Sequence, residues 1–334
     1  MSVESLVTWS VTLAAPFTRG QAAEEGADDR AVDRLVSAGA WRRCGRGVYV
    51  ASAVWDAADD RGKHRLAVAA RLLQKDKRWV GARRSAAVFY GLPLLGKTLP
   101  AVPQLLRGPE GGRAKAKNRH ERVATLLDEE RVEIDGVGLA SLARTVHDIA
   151  RQESFRSGLI VADGALRRGL EKEELIALAR SRVGWPGGWA ALKVATLANG
   201  LHETILESLS WAACHTLGIE MPEPQVRVFA GERLVARVDG LWRAHNTIGQ
   251  ADGLFKYNDR QGVIHDKRQD EELEDLGFEV ARWGWEEAYK PTGVLDERLR
   301  RAFARGDRQQ IDPRVRLLPT TLDQSLEWTG LIAS

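Results

Sequence analysis

The chain has 334 residues, enough for roughly two or three domains at ~100–200 residues each, with 44% hydrophobic and 28% charged residues. This globular composition excludes a disordered or fibrous protein, and two distant cysteines, Cys44 and Cys214, exclude a disulfide framework or a cysteine-rich zinc site. No apolar run is long enough for a membrane span and no basic signal-peptide start is present, so we expect a cytoplasmic protein without a membrane partner.

The net charge of +3 hides an uneven distribution along the chain. Residues 66–125 hold 13 basic and 3 acidic side chains, whereas residues 201–334 hold 17 and 23. The basic segment is a candidate surface for double-stranded DNA, and a solvated face without a partner is the alternative. Within it, residues 107–122 predict an exposed loop. The loop residues that we expect to contact DNA are Arg113, Lys115, Lys117 and Arg119.

Residues 17–50 predict two short helices followed by a strand pair. Thr18 and Asp28 are suitable N-caps, and Gly26 and Gly39 are suitable ends of the two helices. A glycine-containing turn then precedes Val-Tyr-Val50, which is typical of a strand. This order predicts a winged helix-turn-helix, which we assign to residues 1–60.

Five arginines of this first domain are placed to contact DNA. Arg30 and Arg34 lie four residues apart on one face of the second helix, which can enter a major groove. Arg42, Arg43 and Arg46 crowd the strand pair, where they can meet phosphates. The alternative is a small helical domain whose arginines are only solvated.

Residues 61–200 predict a basic and mostly helical middle domain, with short strands and loops between residues 97 and 140. Residues 201–305 predict an α-β-β-β-α-β order, which forms an α/β sandwich with a mixed sheet. The predicted helices cover 202–217 and 263–276, and the strands cover 225–229, 234–239, 247–252 and 278–283. Residues 306–334 form a tail whose Trp328 and leucines predict docking onto one of the domains, without indicating which.

Polar residues of the third domain meet at one edge of the predicted sheet. Regular alternation along neighbouring strands brings Asp239 close to Gln250 and Asp252. Glu207 lies on the preceding helix, and Lys256 follows Asp252 by four residues. Carboxylates with a lysine suit a Mg²⁺ site that activates water for phosphodiester hydrolysis, although unrelated surface carboxylates give the same spacing.

Three segments of this domain resemble the Vsr-like branch of the PD-(D/E)XK nuclease superfamily. They are Ala236-Arg-Val-Asp-Gly-Leu-Trp242, Gln250-Ala-Asp-Gly-Leu-Phe-Lys-Tyr257 and the segment from Asp266 to Trp285. The resemblance implies a PD-(D/E)XK-like fold with Glu207, Asp239 and Asp252 as ligands of Mg²⁺ (or Mn²⁺). It also implies Lys256 as the assisting lysine and Gln250 at the position of the family glutamate.

The first half of the chain resembles AbiEi-type antitoxins. The segments that carry this resemblance are Thr18-Arg-Gly-Gln-Ala-Ala, Gly45-Arg-Gly-Val-Tyr-Val50, Arg84-Ser-Ala-Ala with Gly-Leu-Pro93, and Ala143-Arg-Thr-Val-His-Asp-Ile-Ala-Arg151.

Two functions follow from these resemblances, and both have double-stranded DNA as the partner and allow a homodimer. In the first, the protein is a Mg²⁺-dependent endodeoxyribonuclease. In the second, it is a non-catalytic, antitoxin-like transcriptional regulator whose nuclease-like domain is a scaffold. Gln250 favours the second function, because a neutral ligand lowers the negative charge available to a metal ion. The other polar positions of the nuclease pattern are all present, so we expect the first function; they are Glu207, Asp239, Asp252 and Lys256.

Overall fold

The computed structural model describes residues 2–96, 99–108, 120–252, 260–290 and 293–330, and it describes residues 260–266 by their backbone alone. The chain divides into two units, Met1–Ile149 (unit 1) and Ala150–Ser334 (unit 2). Both combine helices with β-sheet, which confirms the expectation of a mixed α and β protein with more than one domain.

The first part of unit 1 packs three helices against a small sheet. Its elements are α1 (Val3–Leu13), β1 (Phe17–Thr18), α2 (Arg19–Glu24), α3 (Asp29–Ser37), β2 (Trp41–Gly45) and β3 (Val48–Ala51). The strands form an antiparallel sheet in the order β1-β3-β2. Phe17, Trp41 and Tyr49 bury their rings together beneath α3, so aromatic burial joins the helices to the sheet.

The predicted starts of α2 and α3 are confirmed, and local side-chain hydrogen bonds define them. The hydroxyl of Thr18 accepts from the backbone N–H of Gln21, whose side chain accepts in return from the N–H of Thr18. Asp28 accepts from the N–H of Ala31 at 2.7 Å. Such caps satisfy backbone donors that a helix start leaves free. Helix α1 was not predicted from the sequence.

The rest of unit 1 surrounds a five-stranded mixed sheet. Its elements are α4 (Ser52–Ala57), α5 (Asp60–Leu72), β4 (Trp79–Gly81), α6 (Arg83–Phe89), β5 (Leu105–Arg107), β6 (Glu121–Val123), β7 (Arg131–Ile134), β8 (Val137–Ala140) and α7 (Leu142–Ala150). The strand order is β6-β5-β4-β8-β7. The short strands predicted between residues 97 and 140 are thereby confirmed.

Unit 2 contains a second five-stranded sheet with helices around it. Its helices are α8 (Phe155–Leu166), α9 (Lys172–Ser181), α10 (Gly188–Leu197), α11 (Ile205–Leu217), α12 (Arg260–Asp275), α13 (Trp285–Tyr289), α14 (Gly293–Gly306) and α15 (Leu322–Trp328). Its strands are β9 (Glu223–Ala230), β10 (Arg233–Trp242), β11 (Thr247–Ala251), β12 (Glu279–Trp283) and β13 (Val315–Pro319). The strand order is β12-β11-β10-β9-β13, and only the β11–β12 pairing within it is parallel.

The predicted α-β-β-β-α-β order is present in unit 2, with two differences. The pairing of β10 with β9 shifts register between Leu234 and Ala236, so the regular alternation predicted along β10 is wrong at this point. A register shift of this kind changes which face the following side chains occupy. The tail also contributes a strand, β13, which pairs with the outer edge of β9.

Polar contacts fix α15 to the rest of unit 2. Ser325, which is fully buried, donates to Glu203 at 2.6 Å and accepts from Arg167 at 2.9 Å. Arg167 also donates to Thr329 at 3.1 Å.

Within the described residues, no helix is both long and apolar enough to cross a membrane.

Candidate functional site

Helix α3 presents Arg30 and Arg34 to solvent because its apolar face is used in the core. Ala31, Val32 and Leu35 are buried, and the two arginines lie exposed on the remaining surface. No carboxylate lies within ion-pair distance of either arginine in the part of the chain that the structure describes. Their charges are therefore available to an external anion.

The acidic side chains of α3 are held by a neighbouring arginine. Arg19 donates to Asp29 at 2.7 Å and approaches Asp33 at 3.5 Å. Its guanidinium also donates to the hydroxyl of Tyr49, and this hydrogen bond is the main reason that the pKa of Arg19 is raised. Arg19 thereby offsets two carboxylates that would otherwise repel a phosphate near Arg30 and Arg34.

The β2–β3 ribbon carries three exposed arginines. Arg42 pairs with Asp56 at 3.3 Å, and Arg43 lies over the ring of Tyr49 at 5.8 Å. Arg46 occupies the turn, next to Gly47, whose φ of +67° suits a residue without a side chain. Among the described residues, Arg46 has no carboxylate partner, so it resembles Arg30 and Arg34 in its availability.

The four basic residues predicted in the loop lie outside the described residues. They are Arg113, Lys115, Lys117 and Arg119. Their contact with DNA stays a prediction.

In unit 2, Glu207 lies in the first turn of α11 and is only 5% exposed. Its carboxylate accepts from the hydroxyl of Thr204 at 2.8 Å and from the backbone N–H of Glu203 at 3.0 Å. It also accepts from the side-chain amide of Gln225 at 2.8 Å. This acid therefore helps to cap α11 and connects the helix to strand β9.

Gln225 connects Glu207 to Asp239. Its amide nitrogen lies 2.8 Å from Glu207 and 3.4 Å from Asp239. Gln225 is buried and has a φ of +51°, which is uncommon for a residue with a side chain. The other carboxylate oxygen of Asp239 accepts from the N–H of Ala251 at 2.8 Å. Helix α11 and strands β9, β10 and β11 thus meet at one polar edge.

The third predicted acid, Asp252, is engaged by Arg282 on β12. The guanidinium donates to Asp252 at 2.7 Å and to Asp270 on α12 at 2.6 Å. Burial disfavours the charged guanidinium, but the bonds to Asp270 and Asp252 outweigh it and raise the pKa of Arg282. Gln250 is 8% exposed and is aligned with Arg282 in the parallel β11–β12 pair. Lys256 lies outside the described residues.

The carboxylates of this edge are the kind of donor that Mg²⁺ prefers, but protein groups already contact each of them. Glu207 and Asp239 share the Gln225 amide, and Asp252 is paired with a cation. Across the described ranges, no group of three or more His, Cys, Asp or Glu side chains is spaced to hold a metal ion. The binding of Mg²⁺ or Mn²⁺ at this edge stays a prediction.

Two residues of the polar edge were not among the predicted ones. Gln225 was predicted only as the start of a strand, and no sequence signal indicates its left-handed backbone. Arg282 alternates with the buried Ala281 and Trp283 along the last strand, so its face could be derived from the sequence. Its two acidic partners, one directly after β11 and one on α12, become apparent only in three dimensions.

Comparison with known proteins agrees with the N-terminal part of the resemblance. Residues 15–52, which span β1, α2, α3 and the β2–β3 ribbon, match the family described as "Transcriptional regulator, AbiEi antitoxin". No curated protein matches the chain. A solved structure of the RV2827C protein from Mycobacterium tuberculosis is 13% identical, with a TM-score of 0.37, and the alignment covers 56% of this chain and 75% of that one. The N-terminal segment is thus similar to a family of antitoxin-type transcriptional regulators.

Proposed function

We propose that this protein is a DNA-binding transcriptional regulator of the antitoxin type, with α3 and the β2–β3 ribbon acting as a winged helix-turn-helix. One observation carries the proposal: Arg30, Arg34 and Arg46 are exposed on a capped helix and an adjacent turn without carboxylate partners in the described residues. The family match over residues 15–52 supports it. Helix α3 would enter the major groove, and the ribbon would contact the flanking phosphates.

The test is duplex binding by the full chain. A duplex selected from a random pool is titrated by fluorescence anisotropy at several salt concentrations. We expect Arg30→Ala and Arg34→Ala each to weaken duplex binding by about tenfold if the arginine contacts a base, since a good base contact contributes ~1–3 kcal/mol. If the arginine contacts a phosphate, the substitution should instead lower the slope of log affinity against log salt concentration by about 1.

The matched control is Arg65→Ala, because Arg65 is a partly exposed arginine of the same unit that lies outside the basic segment and is paired with Asp135. It should leave the affinity unchanged. An equal loss in all three variants would show that only net charge matters, and it would contradict a specific role for α3. The homodimer stays a prediction, which the molar mass of the free and DNA-bound protein in solution would test.

A second candidate is phosphodiester hydrolysis in unit 2 with Mg²⁺ or Mn²⁺. The observation that favours it is the approach of Glu207 and Asp239 to the same amide of Gln225. Supercoiled plasmid is incubated with Mg²⁺, Mn²⁺ or EDTA, and Asp239→Ala is compared with the surface control Glu297→Gln. Metal-dependent nicking that only Asp239→Ala abolishes supports this candidate. A retarded but uncut plasmid in every lane contradicts it and leaves the regulator.

A further inference from the structure

Unit 2 exposes aromatic side chains beside cations on α10 and α13. Trp189, in the first turn of α10, is 72% exposed, which is a large exposure for this residue type. Lys193 lies one helical turn further along α10, on the same face as Trp189. Its ammonium lies 4.9 Å from the ring of Phe155 in the first turn of α8.

A second group of aromatic side chains lies next to Arg156, the residue that follows Phe155 in α8. Trp285 and Tyr289 are stacked on α13, with ring centroids 6.3 Å apart and an interplanar angle of 12°. They are 39% and 36% exposed. The guanidinium of Arg156 lies 4.8 Å from the Tyr289 ring. The consecutive residues Phe155 and Arg156 therefore connect the two aromatic groups.

We call these six side chains the aromatic–cationic surface. They are Phe155, Arg156, Trp189, Lys193, Trp285 and Tyr289. Helices α8, α10 and α13 supply them, and both α10 and α13 are positioned through packing around α8 and α11. Cations that lie over aromatic rings keep their charge available to a further anion while the rings hold them in place.

The two cations of this surface differ from most arginines of unit 2. Arg298, Arg300 and Arg305 are each paired with a carboxylate. In contrast, neither Arg156 nor Lys193 has a carboxylate within ion-pair distance among the described residues. The acid of α13 that lies closest in sequence to Tyr289, Glu287, is itself paired with Arg298 at 2.8 Å.

We propose that the aromatic–cationic surface binds single-stranded DNA. Bases would stack on the exposed rings of Trp189, Trp285 and Tyr289, and the backbone phosphates would contact Arg156 and Lys193. Unpaired bases are accessible for such stacking, whereas duplex bases already stack on one another. The choice of DNA over RNA rests on the proposed DNA-binding function of unit 1, but the surface itself is a separate site for a different form of nucleic acid.

Stacking should contribute more than charge, because only two cations take part and residues 201–334 carry an excess of acidic side chains. For a single strand, two phosphate contacts give a salt slope of about −1.4 on a log–log plot. A disordered acidic polypeptide offers the same charge without bases, so it is the alternative that the experiment must separate.

The experiment titrates the full chain with fluorescein-labelled oligo(dT) of twenty nucleotides and follows anisotropy. We expect Trp189→Ala and Trp285→Ala each to weaken binding by about fivefold or more, since a stacked base contributes ~1–3 kcal/mol. Trp285→Phe should retain most of the affinity, which separates stacking from a folding defect. The matched control is Trp328→Ala, which removes a 56%-exposed tryptophan of α15 that lies outside the surface.

Three further arms make the result decisive. An abasic oligonucleotide or polyglutamate that binds as tightly as oligo(dT) would overturn base stacking, and tighter binding of oligo(U) would overturn the assignment to DNA. Arg30→Ala should reduce duplex binding but not oligo(dT) binding. Failure of the unit 1 proposal alone would therefore appear as lost duplex binding with oligo(dT) binding intact.

Discussion

At the residue scale, the carboxylate of Glu207 accepts three hydrogen bonds from two places in the fold. Thr204 and Glu203 belong to the start of α11, and Gln225 belongs to β9. A buried carboxylate is tolerated when such donors surround it, because they replace the water that it has lost. Capping a helix and facing a sheet edge are thus compatible roles for this one side chain.

We predict that Glu207→Ala destabilises the protein by about 1–3 kcal/mol, because it removes the acceptor of the Glu203 N–H and the nearer of the two acceptors of the Gln225 amide. Urea unfolding at pH 7 measures the change. Glu297→Ala is the control, since the Glu297 carboxylate is exposed and forms a surface ion pair with Arg301 at 3.6 Å. Equal effects of the two substitutions would contradict a structural role for the Glu207 contacts.

The two cysteines provide a second prediction at this scale. Burial in α11 raises the pKa of Cys214 to about 12, and burial also raises the pKa of Cys44, which is only half-buried on β2. The thiolate is the reactive form. We therefore expect maleimide at pH 8 to label Cys44 first and Cys214 only after unfolding. Peptide mapping by mass spectrometry measures the order of labelling. Labelling of Cys214 before Cys44 would contradict the burial of Cys214.

At the scale of elements, the sequence was informative where local bonds set the boundaries. Thr18 and Asp28 cap α2 and α3 in the structure as their residue types predict. Elements that depend on distant partners were harder to derive. Strand β13 is defined by its pairing with β9, which lies far from it in the sequence. The register shift in β10 is set by the hydrogen-bond pairing of β10 with β9.

The same limit applies to the candidate site. Neighbouring strands indicated that Asp239 and Gln250 lie near each other, and the β10–β11 pairing around Gly240 and Gly249 agrees with this. The sequence does not reveal that Gln225 lies between two carboxylates. It also does not reveal that Arg282 engages Asp252, because this contact depends on the parallel β11–β12 register.

The cap of α3 yields a prediction about an element. Asp28→Ala removes the acceptor of the Ala31 N–H and should cost about 1 kcal/mol, with an expected range of ~0.5–2. Thermal unfolding detects this cost. Asp33→Ala is the comparison, because Asp33 lies within α3 with most of its side chain exposed, and Arg19 at 3.5 Å is its only ionic partner among the described residues. If Asp33→Ala were the more damaging change, the cap would not be what fixes the start of α3.

At the scale of the whole molecule, carboxylates with lowered pKa occur in both units. Glu121 in unit 1 is buried, which by itself raises its pKa, but Lys75 and Arg71 outweigh this effect and lower the pKa overall. The exposed Asp76 and the half-buried Asp312 have pKa values lowered to about 2, chiefly by hydrogen bonds from Arg78 and Arg314. Acid therefore acts on the two units together.

We predict that stability decreases in acid and that Glu121 accounts for part of the loss in unit 1. A lowered folded pKa means that its contribution is complete above the unfolded value of ~4.3 and disappears as the pH falls through the folded pKa. Urea unfolding between pH 7 and pH 3 measures this, with Glu121→Gln as the variant. The variant should be less stable at pH 7 and should lose less stability in acid. An unchanged pH profile would contradict the role of the Lys75 and Arg71 contacts.

The position of β13 has a consequence for the order of events during folding. Strand β9 pairs on one side with β10, which follows it directly, but on its other side with β13, which follows only after β10, β11 and β12. During synthesis, one edge of β9 therefore stays open until the ribosome has released Val315–Pro319. Long-range pairing of this kind slows folding, and an open edge can pair with another nascent chain. The interval before β13 arrives is thus when unit 2 is most exposed to aggregation.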